Sequence, residues 1–250
     1  MKRFITAILS VSLLLLGCQD KDKGGDLKKE TVKFAVCADY APFEYYKDGK
    51  LVGLDVELAK LLVKKLGKKA AFEDMQFGSI LVSVQDGLVD AAVSAVEFSE
   101  EKAKVCDFSR TYCRAGVALV YRKGAKATTL QQLSNSKAAY QNGASDHAKL
   151  LQKEAPDAQL IAMDKMNIAI EALKAGHVDY VFMDEVPANE FCKKNPELDC
   201  SVAGELSEGY VIMLKKGSPL KAQLDKALDE LESEGELKKL REKWLMVPKK

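Results

Sequence analysis

The chain is predicted to form two α/β lobes with parallel-rich sheets, and three observations carry that expectation. Val32, Phe34 and Val36 fall on one face of a segment with period two, which marks a strand. Two stretches, 79–97 and 169–186, share one pattern: a helix, a Gly-x-Val-Asp stop (Gly87 to Asp90, Gly176 to Asp179) and a short apolar strand. Those strands, Ala91 to Val93 and Tyr180 to Phe182, are continuous apolar runs of the kind buried on both faces of a parallel sheet. Two αβ units sharing simple grammar by chance would look the same, so the repeat alone does not decide the matter.

The first strand exits into Tyr40, Pro42 and Phe43, an aromatic pair on a stiff loop that reads either as ligand-facing or as an ordinary βα connection. Lys47-Asp48-Gly49-Lys50 has the composition of a hairpin turn. Gly53 then leads into a helix from Asp55 to Leu66 with Val56, Ala59, Val63 and Leu66 on one stripe, Asp55 as N-cap and Gly67 as C-cap. A strand at Lys137 to Tyr140 precedes Asn142-Gly143 and completes a second βαβ order. The chain is expected to cross between lobes near 118–123 and to return near 209–214. An amphipathic tail, Lys221 to Trp244, then packs on the first lobe. This assigns 31–121 and 212–250 to lobe 1 and 122–211 to lobe 2. Ligands of open α/β sheets sit beyond the carboxyl ends of strands, here Ser94 to Ser99, opening with Ser94 and Ala95, and Met183 to Pro187.

Met1-Lys2-Arg3, an apolar run from Phe4 to Leu16 and Gly17-Cys18 fit a signal peptide (1–17), too short for a comfortable membrane span. Leu15-Leu16-Gly17-Cys18 looks like a bacterial lipobox that would lipidate Cys18, and 18–30 is a polar tether. With 38 Lys+Arg against 37 Asp+Glu and no basic stripe interleaved with aromatics, nucleic acid is excluded as an expected partner. Beyond Cys18 five cysteines remain, an odd number, and Cys192 with Cys200 is the favoured disulfide candidate over Cys106 with Cys113. The absence of CxxC or HxxxH argues against a metal site, and His147 and His177 both read as surface or loop residues.

Tyr40-Ala41-Pro42-Phe43-Glu44, followed by the run Gly49 to Lys60 (GKLVGLDVELAK), resembles the first βα unit of the polar amino-acid-binding proteins of ABC importers, extracellular solute-binding protein family 3. The resemblance extends over roughly 31–248. It implies the type II periplasmic-binding-protein fold: two lobes, two hinge crossovers and a ligand cleft between them. It also implies a monomer without cofactors that is lipid-anchored at the periplasmic or cell-surface face of a membrane. Such a protein closes on an amino acid or related small polar compound and serves an ABC permease.

A free amino acid needs an anion for its ammonium, a cation and donors for its carboxylate, and a side-chain pocket. Asp184 matches the family's ammonium partner, or serves as a plain helix N-cap. The Gln141 to Asp146 loop, with Ser145, resembles the family's carboxylate loop, or again a plain cap. Counting back from Asp107-Phe108-Ser109, the family's arginine position holds Lys102 and its small hydroxyl position holds Glu97. Lysine lacks the planar fork that grips a carboxylate, and a nearby glutamate repels one. A surface pair of Glu97 with Lys102 is the alternative. Tyr40 and Phe77 match the aromatics that sandwich the ligand, and Cys37 is either a thiol lining the pocket or a buried small hydrophobe. Two competing functions use the same scaffold: a cyclohexadienyl dehydratase-like enzyme, for which Pro187 stands where an acid is needed, and a sensing module for a separate signalling protein.

Overall fold

The computed structural model describes residues 30–114, 116–205 and 209–245. The predicted leader, Cys18 and the tether through residue 29 lie outside them. In chain order the elements are β1 (Thr31–Val36), β2 (Asp39–Tyr40), β3 (Glu44–Lys47), β4 (Lys50–Val52), α1 (Leu54–Lys65), β5 (Lys69–Asp74), α2 (Phe77–Gln85), β6 (Ala91–Ala92), α3 (Glu100–Ala103) and β7 (Cys106–Phe108). The second half follows with β8 (Gly116–Arg122), β9 (Lys137–Gln141), α4 (Ser145–Glu154), β10 (Gln159–Met163), α5 (Met166–Lys174), β11 (Tyr180–Asp184), α6 (Glu185–Lys194), β12 (Leu198–Glu205), β13 (Met213–Lys215), α7 (Leu220–Ser233) and α8 (Glu236–Leu245). No helix among the described residues is long and apolar enough to cross a membrane.

Two five-stranded sheets result, ordered β5-β1-β6-β13-β7 and β10-β9-β11-β8-β12. Each mixes two parallel pairings with two antiparallel ones. The repeated Gly-x-Val-Asp stop has the same job in both lobes. Asp90 accepts from Lys33 N–H at 2.9 Å while its own N–H donates to the Lys33 carbonyl. Asp179 holds Lys137 in the same way, at 2.9 Å. The aspartate just before β6 and the one just before β11 thus lock the register of the first parallel strand of their sheets.

The crossovers fall earlier than the sequence suggests. β8 pairs with β11 and β12 along its length, so 116–121 belong to the second lobe, not the first. Tyr210 already bridges Glu97 and Cys113, so 210–211 belong to the first. An apolar run such as Val117 to Tyr121 announces a strand but not which sheet it joins. The tail is two helices, divided at Gly235 with φ 72°. It is sewn to the first lobe by Trp244 Nε1 donating to Glu57 at 3.0 Å and Arg241 donating to the Tyr112 carbonyl at 3.0 Å.

The hairpin turn forms as expected, with Asp48 and Gly49 at φ 51° and 71°. Gly53 is obligatory: a Cβ there would lie 2.0 Å from the Phe43 carbonyl oxygen. That close approach sets α1 one residue earlier, from Leu54, with Gly53 as its N-cap. Asp55 is therefore no cap. It is wholly buried, accepting from Ala95 N–H at 2.7 Å and from the Tyr112 hydroxyl at 2.8 Å. Of the two readings open for Phe43, ligand-facing or part of an ordinary βα connection, the structure gives the second: it is core, edge-on to Tyr210 with ring centroids 5.0 Å apart.

Cys192 and Cys200, expected to bridge, are free thiols, as are Cys37, Cys106 and Cys113. The two sulfurs nevertheless interact, and the Cys200 thiol donates to Asn189 Oδ1 at 3.4 Å.

A polar strut crosses the first lobe beneath the sheet edges. Cys37 N–H donates to Ser94 Oγ at 2.9 Å, and the Ser94 hydroxyl donates to Glu44 Oε1 at 2.8 Å. Burial first, then the neighbouring Asp55 charge, raises the Glu44 pKa well above its ordinary value. Burial also raises Asp55, to about 6. Both carboxyls bind protons more tightly folded than unfolded, so their contribution favours the native state at low pH. It is lost as pH rises from the ordinary carboxylate range through the raised values. Glu44→Gln imitates the protonated acid. It is expected to melt several degrees above wild type at pH 8, at about 2–4 °C per kcal/mol, with the difference shrinking by pH 4.5. A constant difference across that range in circular dichroism melts would contradict the assignment.

Candidate functional site

The carboxyl edges of the two sheets meet across a cleft. The first lobe contributes Tyr40 at the end of β2, Phe77 opening α2, Ser94 and Ala95 after β6, then Glu97 and Lys102. The second contributes Gln141 at the end of β9, Ala144, Asp146 and His147 at the start of α4, and Asp184 at the end of β11. The lobes are closed on one another, and the space left among these side chains is about 20 Å³, room for about one water. Gly143 permits this approach: a Cβ there would sit 2.7 Å from the Gly78 Cα of the opposite lobe.

Asp184 occupies the N-cap position of α6 but makes no side-chain capping bond. Its carboxylate points across the cleft and accepts from the Tyr40 hydroxyl at 2.8 Å, while the same hydroxyl accepts from Asp184 N–H at 3.1 Å. The residues alone favour a cap and the family resemblance a cleft-facing acid, and the side chain faces the cleft.

His147 was expected at the surface and is instead 5% exposed, edge-on to Phe182 at 4.9 Å. Helix α4 begins at Ser145, so its third residue points into the cleft, which single-residue hydropathy does not reveal. His177 is exposed, as expected. His147 Nε2 lies 2.9 Å from Glu97 Oε1 and 3.3 Å from Asp184 Oδ1. Burial by itself lowers the imidazole. The Glu97 charge, hydrogen bonding to both carboxylates and the Asp184 charge outweigh it and push it up to about 10. His147 is therefore an imidazolium at neutral pH. Its Nε2–H is directed at Glu97, with Asp184 Oδ1 at the longer 3.3 Å as the weaker partner of the same nitrogen, and Nδ1 is buried without a partner. Glu97, His147 and Asp184 also bring three donor atoms within 4.8 Å of one another, a grouping able to hold a metal ion that no spacing motif in the sequence signals.

Lys102 pairs neither with Glu97 nor with solvent. Its Nζ donates to Asp146 Oδ2 at 3.1 Å, across the lobes, and its side chain is 11% exposed. Two expected residues fall outside the cleft. Cys37 is buried behind it, its thiol donating to Asp39 at 3.4 Å and facing the Gln141 amide from the other lobe at 3.7 Å. Burial pushes that thiol well up, so it is the small hydrophobe rather than a reactive group. Ser145 lines an adjoining apolar cavity of about 270 Å³ with Ile80, Leu81 and Met213. Phe77 and Lys102 form the wall between the two spaces.

Residues 32–247 match the model of the bacterial extracellular solute-binding proteins, family 3. The arginine-binding extracellular protein ArtP of Bacillus subtilis (strain 168) is 30% identical over 252 residues, covering 98% of each chain. The glutamine-binding protein GlnH of an ABC transporter from the same organism is 27% identical over 265 residues, covering 98% of this chain and 97% of its own. Among solved structures, an ancestral arginine-binding protein bound to arginine superposes with TM-score 0.81 at 34% identity, covering 87% of this chain and 99% of its own. AbpA of Streptococcus pneumoniae, bound to L-arginine, gives 0.79 at 34%, covering 86% and 94%. These relatives are named as binding proteins and not as enzymes, and the present chain is likewise a binding protein with the two-lobe type II fold. It belongs to the bacterial extracellular solute-binding proteins, family 3.

Proposed function

We propose that this chain captures a small polar compound, an amino acid or a relative of one, by lobe closure and delivers it to the permease of an ABC importer. The carrying observation is the Tyr40 to Asp184 bond at 2.8 Å, which joins an aromatic of one lobe to a buried acid of the other at the meeting point of the sheet edges. In this reading Asp184 and Glu97 receive the ligand's cationic group, Tyr40 and Phe77 enclose it, and Ser94, Ala95 and Lys102 complete the wall. The relatives named for arginine and glutamine support transport as the purpose of binding. Lipidation at Cys18 would hold the protein, as a monomer, at the outer face of a membrane, and the leader composition supports that placement. Closure itself is the mechanism: a ligand that contacts both lobes shifts the equilibrium toward the closed form.

A thermal-shift screen of amino acids, amines and organic acids tests the function directly. A ligand at about 100 times its dissociation constant adds about 2.7 kcal/mol. Silence across all classes would remove the solute-binding reading. Asp184→Asn keeps the Tyr40 contact but deletes the charge, and is expected to weaken the best hit by more than about tenfold. Gly143→Ala tests closure. With φ 92° and Gly78 in the way, the variant should stay folded, bind the hit more weakly and lose the ligand-induced contraction that small-angle scattering reads in wild type. Undiminished contraction would separate closure from this glycine contact.

A further inference from the structure

We propose that the cleft selects a small organic cation that carries no carboxylate, and that Asp146 sets this choice by holding Lys102. The inference rests on the cleft being the ligand site. Among the residues lining it, Lys102 is the one lysine or arginine, so it is the natural partner for a ligand's carboxylate. Asp146 comes from the first turn of α4 on the opposite lobe, and closure brings it to 3.1 Å from Lys102 Nζ. The same motion that would clamp a carboxylate therefore neutralises the cation meant to hold it. His147, the other positive group, has its Nε2 engaged by Glu97 at 2.9 Å with Asp184 beside it at 3.3 Å, while its Nδ1 is buried without a partner.

A carboxylate entering this space must displace Asp146 and then lie among Glu97, Asp146 and Asp184, where like charges repel in a water-poor setting. A cationic head meets the opposite circumstances. Asp184, 3% exposed, has one oxygen bonded to Tyr40, and the other, Oδ1, faces only the His147 Nε2 at 3.3 Å, whose N–H is directed at Glu97. A buried carboxylate oxygen without a donor is costly, and an ammonium or guanidinium N–H supplies what it lacks. The faces of Tyr40 and Phe77 suit the same charge. Beyond Phe77 and Lys102 the apolar cavity of about 270 Å³ can take a short aliphatic or aromatic tail once either side chain turns aside.

The test compares amino acids with the amines that remain when only the carboxylate is removed: arginine with agmatine, lysine with cadaverine, phenylalanine with phenethylamine. By titration calorimetry on the purified protein, at least one amine should bind, at least tenfold tighter than its amino acid. Asp146→Asn releases Lys102 and should narrow that ratio by raising the amino acid's affinity. Lys102→Gln should cost the amino acid less than tenfold, whereas a carboxylate grip by Lys102 would make it cost the amino acid more than tenfold. Melting temperatures of both variants near wild type establish that they fold. Amino acids binding as well as their amines, an unchanged ratio in Asp146→Asn, or stabilisation by Zn²⁺ or Mn²⁺ with none by any amine would each overturn the proposal while leaving solute binding intact. Silence toward every compound would remove both.

Discussion

Several carboxyl groups are buried at or just beneath the seam between the lobes, and providing each with a donor or a cation is the constraint that shapes the rest of the molecule. An uncompensated buried charge is among the costliest features a fold can carry. Glu44 is served by Ser94, Asp55 by Tyr112 and the Ala95 N–H, Glu97 by His147, and Asp184 by Tyr40. The first two are settled inside one lobe and brace the strand exits that carry cleft residues. The last two are settled only across the cleft, so their environment depends on whether the lobes are together. The single chain thus divides its buried acids into a permanent strut and a set that closure creates.

Much of this architecture was legible in the chain because it follows from local pattern. Alternation marked β1, and the Gly-x-Val-Asp repeat marked equivalent helix-to-strand passages in both lobes. The repeat's aspartates have a use that pattern alone does not reveal, since Asp90 and Asp179 bind backbone 57 and 42 residues away in sequence. The crossover positions were displaced because an apolar strand carries no label for its sheet, and β8 joins the second lobe by pairing with β11 and β12. Asp55 was misread as a cap because Gly53, through its approach to Phe43, starts the helix a residue early.

The cleft was legible in part for a different physical reason. Tyr40, Glu97, Lys102 and Asp184 could be singled out one by one, but their partners come from the other lobe. His147 and Asp146 are neighbours in a helical first turn, where an acid is ordinary dipole complement and a histidine is unremarkable. Only the apposition of α4 with the segment from Glu97 to Lys102 turns them into an internal cation and a counter-ion. Lys102 is the clearest case: the sequence offers a ligand carboxylate or, as the alternative, Glu97 as its partner, yet the structure gives it Asp146, 44 residues on.

Pairing of this kind need not make the closed form much more stable. Ion pairs formed from already solvated groups gain little net free energy, because desolvation offsets most of the attraction. Their larger effect is on which molecule can share the space. A closed cleft that pairs its own lysine leaves acidic oxygens of Asp184 and Glu44 and the aromatic walls as its main ligand-facing chemistry. Selectivity here therefore arises less from contacts offered than from a contact withdrawn, and it is withdrawn by the same lobe movement that traps the ligand.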